Sequence, residues 1–329
     1  MEKATATASV STKGAILLGK NVVVDGFDDR PIRVVTHAHF DHIGGLKRSI
    51  KRSVFIVATP TTLKMLEVLG YKIPPHKTAP LPYGRSLMVE DERLTLFPSR
   101  HIAGSAQVLV EGPNYRVAYT GDFKMPGTPP IRDLDVLVLD ATYGSPRRQR
   151  RWSDWEALMA LIGLIEEKSK YGPVWVYGYN GKLQEVMVEL RKSGVRLPFY
   201  ADIKTIKLAK IAAEFYRERI EDLYPYNGAP IDESAVIFQH MSRSRSFKTR
   251  RGTHIILTGW EMRGIIVQVE PNKYNVSYSD HATLREIVDY LRAARPRIII
   301  VDAYRGRDPE LTARHIEKIT GIRTIPLPV

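Results

Sequence analysis

Three histidines and an aspartate fall within six residues, His37-Ala38-His39-Phe40-Asp41-His42, directly after a stretch from Ile32 to Val35 that reads as a strand. Imidazole nitrogens suit zinc and its transition-metal neighbours, and a carboxylate adds charge and an oxygen ligand. His37 and His39, two apart, can face one ion, while Asp41 and His42 on the following turn can face a second. Gly44 and Gly45 then let the backbone turn into a helix from about Leu46. A polar loop that holds three histidines by chance is the alternative. The spacing directly behind a strand argues for the metal.

The rest of the chain must carry this loop. Ala15 to Leu18 and Val22 to Val24 read as a hairpin, and Val54 to Val57 as a further strand. Thr59-Pro60 opens a helix that Gly70 closes. Pro74 to Pro82 reads as an irregular loop, with His76 exposed in it. Arg93 to Phe97, Gln107 to Glu111, Tyr115 to Tyr119 and Val136 to Leu139 read as strands. Beyond Arg151, glycine-ended strands alternate with amphipathic helices over 154–169, 180–191 and 204–219, a pattern that means α/β organisation and a parallel sheet. Thr283 to Ala294 reads as a helix and Arg297 to Val301 as a strand.

Composition narrows the partners. The 329 residues carry a formal net charge of +13 and contain no cysteine. A strongly basic balance favours a polyanion such as nucleic acid. Without cysteine there are no disulfides or thiolate sites, so any metal must use His, Asp and Glu. No run approaches the length of a membrane helix, and the first residues lack a secretory apolar stretch. The expected setting is therefore cytoplasmic, with the nucleoid as a candidate place and no membrane partner. Two basic runs stand out: Arg147, Arg148, Arg150 and Arg151, then Arg243, Arg245, Lys248, Arg250 and Arg251. Each could follow a phosphate backbone or be a solvated face.

The metal loop resembles that of the metallo-β-lactamase superfamily. Further motifs extend the resemblance to the β-CASP nuclease branch, nearest to the DNA nucleases of the Snm/Pso/Artemis type and the ligase-associated DNA exonucleases. They are His101 with Ala103-Gly104-Ser105-Ala106 behind it, Gly121-Asp122, Asp140-Ala141-Thr142-Tyr143, Thr258-Gly259-Trp260, and Tyr278-Ser279-Asp280-His281. The resemblance implies an α/β fold, an αββα sandwich from residues 1–150 and 265–329 with an inserted α/β cap over 151–264. It implies that His37, His39 and His101 hold one ion, Asp41 and His42 another, and that Asp122 bridges them. Zn2+ is the expected metal, one or two ions, with Mn2+ or Mg2+ as candidates for the second site. Asp25 would orient the loop, and Asp140 would orient a metal-bound histidine through its ring N–H. His281 would sit beside the scissile phosphate. Asp302 stands nearest to the place where RNA-cleaving relatives carry a further histidine ligand, and the Snm/Artemis group also lacks that histidine. Lys182 and Ser279 would meet a substrate phosphate.

The function implied is a metal-dependent phosphodiesterase, a DNA nuclease of repair or processing that acts as a 5′→3′ exonuclease beside repair proteins. An RNA-processing β-CASP ribonuclease is the nearest rival. The expected chemistry is attack of metal-activated water on phosphorus. On this reading, replacing Asp41 by Ala abolishes hydrolysis with little loss of fold. Wild-type turnover by that variant, at unchanged metal content, would remove Asp41 from the site.

Overall fold

Short runs rich in β-branched residues build the first sheet. In the computed structural model, which describes residues 7–147, 149–231 and 233–328, these are β1 (Ala8–Val10), β2 (Ile16–Leu18), β3 (Val22–Val24), β4 (Ile32–Val34), β5 (Phe55–Ala58) and β6 (Thr78–Pro80), side by side in that order. Strands β1 to β3 are antiparallel, and β3 to β6 are parallel. The last of these corrects the sequence reading, which has an irregular loop over Pro74 to Pro82. Proline depletes strands but is tolerated at an edge, and β6 is an edge strand. Helices α1 (Leu46–Arg52) and α2 (Pro60–Val68) follow β4 and β5. Thr59 caps α2, its side chain accepting the Thr62 N–H, with Pro60 in the first turn.

A second sheet follows from β7 (Ser86–Val89), β8 (Glu92–Pro98), β9 (Ala106–Gly112), β10 (Tyr115–Tyr119) and β11 (Val136–Leu139). The chain then leaves for a second unit, Arg150–Asp280. It contains α3 (Asp154–Lys168), β12 (Val174–Gly178), α4 (Lys182–Lys192), β13 (Phe199–Ala201), α5 (Ile203–Tyr216), β14 (Leu223–Pro225), β15 (Val236–His240), β16 (Thr253–Leu257), β17 (Ile266–Glu270) and β18 (Lys273–Val276). The sheet order is β14-β13-β15-β12-β16-β18-β17, parallel except for β17. Every residue of β12 is buried, as a central parallel strand covered on both faces requires. Leu161, Ile165, Leu183, Met187 and Phe238 fill one face, while Trp175, Tyr177 and Ile237 lie on the other. The unit runs past residue 264, where the sequence reading closes the insertion, because β17 and β18 pair onto β16.

The chain returns through α6 (Leu284–Ala294), β19 (Ile298–Asp302), α7 (Pro309–Thr320) and β20 (Arg323–Leu327). These complete the first unit, Met1–Gln149 with His281–Val329. Its second sheet has the order β20-β19-β11-β10-β9-β8-β7. Val24, Val34 and Val57 of the first sheet meet Leu96, Val108, Val117 and Val138 of the second in one apolar layer. Each such side chain contributes about 1.5–3 kcal/mol on full burial. On the outer face of the second sheet, Leu137, Leu139 and Val301 pack with Ile287 and Leu291 of α6 and Ile316 of α7.

One buried carboxylate joins the two layers. Glu92, at the start of β8, accepts the N–H groups of Lys20 at 2.5 Å and Asn21 at 3.0 Å from the β2–β3 turn, and the Tyr115 hydroxyl. Replacing Glu92 by Ala removes the acceptor of three donors, one of them buried, and a hydrogen bond to a charged group contributes about 1.5–3 kcal/mol. The variant should lose about 3 kcal/mol of stability in urea unfolding. A loss below about 0.5 kcal/mol would show that the turn is held by packing alone.

Candidate metal centre

Strand direction gathers the candidate ligands. In the second sheet β8 and β10 are each antiparallel to β9 and so run the same way, while β10, β11 and β19 are mutually parallel along the sheet. The segments after their C-terminal ends, carrying His101, Asp122, Asp140 and Asp302, therefore share one edge. The His37–His42 loop follows β4. Ligand atoms of His37, His39, His101 and Asp122 all lie within 4.8 Å of one another.

Each approach is fixed by backbone. Behind His101, Gly104 has a φ of +85°, and its carbonyl accepts both Thr59 Oγ1 at 2.7 Å and Thr62 Oγ1 at 3.0 Å. A Cβ there would stand 2.8 Å from Thr61 Cβ and 2.9 Å from the Thr62 nitrogen, so only glycine lets α2 close on the loop. Before Asp122, Gly121 has a φ of +57°, and a Cβ would stand 2.6 Å from the Ala106 carbonyl oxygen. The Ala282 N–H donates to the Phe123 carbonyl at 2.6 Å, and Tyr143 bridges to Thr283. These two links hold His281 beside the Asp122 and Asp140 loops.

Asp25 wires the loop. It is fully buried, with a φ of +51°. Its Oδ1 accepts the Thr36 N–H at 2.8 Å, and its Oδ2 accepts the Thr36 hydroxyl at 2.5 Å and lies 2.7 Å from His42 Nδ1. The Thr36 oxygen lies 2.9 Å from His37 Nδ1. With the Thr36 hydroxyl donating to Asp25, His37 Nδ1–H donates to Thr36 and His42 Nδ1–H donates to Asp25. Both Nε2 atoms are then left with lone pairs for a metal. Both are buried and have no hydrogen-bond partner. Buried polar atoms are almost always paired, so this pair of orphans fits a bound cation.

Asp122 sits at the centre. Its Oδ2 lies 3.4 Å from His37 Nε2, 3.2 Å from His42 Nε2, 3.5 Å from His101 Nε2 and 3.8 Å from His281 Nε2. His101 Nε2 is 3.0 Å from His39 Nδ1, and Asp41 Oδ2 is 3.4 Å from His42 Nε2. The Asp41 carboxylate is more than half exposed at the tip of the loop. Asp140 accepts the Thr142 N–H and hydroxyl on Oδ1 and meets His281 Nδ1 at 3.0 Å on Oδ2. Its histidine partner is thus His281. Burial opposes ionisation of Asp122, but His42, His281 and His37 hold its carboxyl well below the usual range. Burial likewise opposes a charged His42, and Asp122 and Asp25 overcome it and raise that ring well above its ordinary value. The carboxylates thus favour positive charge at this point, which a divalent metal would supply.

Other expected residues are differently engaged. Asp302 is buried and takes Arg305 Nη1 on Oδ2 at 2.7 Å, while Oδ1 accepts the Tyr304 N–H at 3.0 Å. Both oxygens thus have partners within the protein, at a residue that the sequence reading offers as a candidate metal ligand. Arg305, which the sequence reading passed over, also donates to the carbonyls of Gly14, Asp25 and Asp41. Its signal was the acid three residues earlier. In the second unit Lys182 is buried against Asp280 at 3.0 Å, and Ser279 is buried too. That ion pair replaces the open phosphate site expected of Lys182. Arg150 is held by Asp154 at 2.8 Å, and Arg250 lies over the Trp175 ring with Nη1 3.3 Å from the Tyr177 hydroxyl. Arg147, Arg151, Arg243, Arg245 and Arg251 are exposed. Arg148 and the Lys248 side chain lie outside the described residues.

Residues 27–172 match the beta-lactamase superfamily domain. The chain is 42% identical over 135 residues to an uncharacterized protein in the lig 3′ region of Acidianus ambivalens, covering 40% of this chain and 96% of that one. It is 24% identical over 327 residues to protein artemis of Gallus gallus, covering 83% of this chain and 45% of that protein. It is 23% identical over 345 residues to a probable RNase of Methanocaldococcus jannaschii, covering 81% of this chain and 80% of that one. The chain thus spans under half of the artemis protein. A crystal structure of a protein of unknown function from Enterococcus faecalis shares the fold, with a TM-score of 0.62 at 13% identity over 91% of this chain and 79% of that one. Among the described residues no helix is long and apolar enough to cross a membrane.

Because Asp122 and Asp25 favour the protonated ring of His42, metal uptake at that ring should release a proton. Divalent-metal affinity should rise with pH through the neutral range, and calorimetry in buffers of different ionisation enthalpy should show proton release. Affinity that is flat from pH 6 to 8 would show that His42 does not take up metal.

Proposed function

The chain belongs to the metallo-β-lactamase superfamily, in its β-CASP nuclease branch, and we propose on that footing that it is a metal-dependent phosphodiesterase that degrades DNA from a 5′ end. The observation that carries the reading is the single Asp122 oxygen set among four histidine nitrogens, with a fifth histidine alongside. We assign His37, His39 and His101 to one zinc ion and Asp41 and His42 to a second ion, zinc, manganese or magnesium, with Asp122 shared. Bound there, the metal supplies Lewis acidity at a phosphoryl oxygen and makes a water nucleophile accessible at neutral pH. His281 faces the leaving side. The Asp140 carboxylate at Nδ1 stabilises its protonated ring, which can then donate from Nε2 to the departing oxygen. Exposed arginines such as Arg147 and Arg151 and the overall charge of +13 favour an anionic polymer.

DNA is favoured because the place of the RNA-cleaving relatives' extra histidine holds Asp302, committed to Arg305. The likeness to the probable RNase, which extends over most of both chains, supports an RNA-processing role as the second reading. The 5′ polarity follows the resemblance to the DNA exonucleases. With Lys182 already neutralised by Asp280, recognition of a terminal phosphate falls to other groups. Matched DNA and RNA strands labelled at either end, digested after chelation and metal return, separate these readings. Metal-dependent shortening of DNA from its 5′ end is expected. Faster RNA cleavage would install the second reading, and cuts in a circular strand as fast as at ends would remove the exonuclease.

A further inference from the structure

Phe40 is the most exposed large apolar side chain among the described residues, at 86%, yet it lies between two residues of the metal cluster. Single exposed apolar side chains are ordinary on a protein surface. This one differs in how its backbone is held. On one side His39 is fixed through its ring, 3.0 Å from His101 Nε2 and edge-on to the His37 ring. On the other side the Asp41 carbonyl accepts Arg305 Nη2 at 3.2 Å. The loop cannot fold the phenyl ring into the core without moving a cluster residue, so the ring stays in solvent in a set place.

The same arginine positions a second aromatic. Tyr304, half exposed, precedes Arg305 and lies with its ring centre 5.6 Å from that guanidinium. Its ring covers Gly14 so closely that a Cβ there would come within 2.4 Å of two ring carbons. One part of the ring is thus seated on backbone and the rest faces solvent. Both exposed rings are therefore tied, through Arg305, to the loop that carries Asp41.

We propose that Phe40 forms a nucleobase-stacking site beside the metal cluster, which positions the nucleotide next to the scissile phosphate, and that Tyr304, tied to the same arginine, offers a further ring to the same strand. The inference rests on the nuclease reading and adds a specificity-determining contact to it. Every base has a π-face, so such a contact tolerates any sequence and discriminates against a nucleotide that lacks its base. Neither ring bears a charge, so the contact should be insensitive to salt, unlike binding through arginine.

The test uses full-length protein loaded with zinc and an oligonucleotide carrying either a normal or an abasic nucleotide at the cleaved position. For the wild type, the abasic substitution should lower kcat/KM by about tenfold or more, in keeping with the usual strength of base–aromatic stacking. In Phe40→Ala the intact strand should be slowed to a similar extent, and the abasic strand should cost nothing further. Phe40→Trp should restore the discrimination, while metal content stays at the wild-type level in both variants. Equal abasic penalties in wild type and Phe40→Ala would overturn the proposal. So would a Phe40→Ala loss that Phe40→Trp does not repair at full metal content, which marks a loop-folding role. Absence of cleavage of any nucleic acid by the wild type would instead be a failure of the nuclease reading itself.

Discussion

The centre depends on one buried carboxylate that holds no expected ligand role. Asp25 accepts the Thr36 N–H and hydroxyl and the His42 ring N–H, and through Thr36 it sets the tautomer of His37. Two imidazoles are thereby turned with Nε2 towards Asp122 before any metal arrives. A buried carboxylate is costly unless its lone pairs are used, and here they are used on the groups that must be oriented. Burial works against its ionisation, but His42, His37 and Arg305 keep its carboxyl below the ordinary value. Its left-handed backbone lets the chain turn at the end of β3, and its carbonyl takes Arg305.

Arg305 extends this wiring to the end of the chain. It is buried with Asp302 and reaches the carbonyls of Gly14, Asp25 and Asp41, elements far apart in sequence. A planar guanidinium with five donors suits such a junction, where an ammonium would not. The second sheet is thus locked to the metal loop by hydrogen bonds as well as by the apolar layer between the sheets. The Asp302–Arg305 pair also gives this strand-end acid a charged partner of its own.

The count of 49 lysines and arginines overstates the cations left free for a partner. In the second unit Lys182 is neutralised by Asp280, Arg150 by Asp154, and Arg250 is laid on an indole ring. Arg191 spends its guanidinium on the carbonyls of Val195, Leu197 and Glu221 and lies over Phe199. The exposed arginines of the two runs are a smaller set than the runs themselves.

The sequence by itself determined the chemistry and the strand-borne order of the site. Histidine and aspartate spacing behind Val35, the small residues behind His101, and Gly121 before Asp122 are local patterns. The reason is that a tight turn needs a particular residue at a particular place, and a metal needs particular donor atoms. The same local logic made the β12-to-α5 alternation and the capped helices legible. What the tertiary structure alone decided is which polar groups meet across long separations. Asp25 with His42, Asp140 with His281, Lys182 with Asp280 and Glu92 with the β2–β3 turn join residues 17, 141, 98 and 71 or 72 positions apart. The edge strand at Thr78–Pro80 and the continuation of the second unit's sheet to Val276 were decided in the same way, by pairing with a partner strand. A side chain's local pattern states what it can do, but its burial and its partner are set by neighbours that the pattern does not contain.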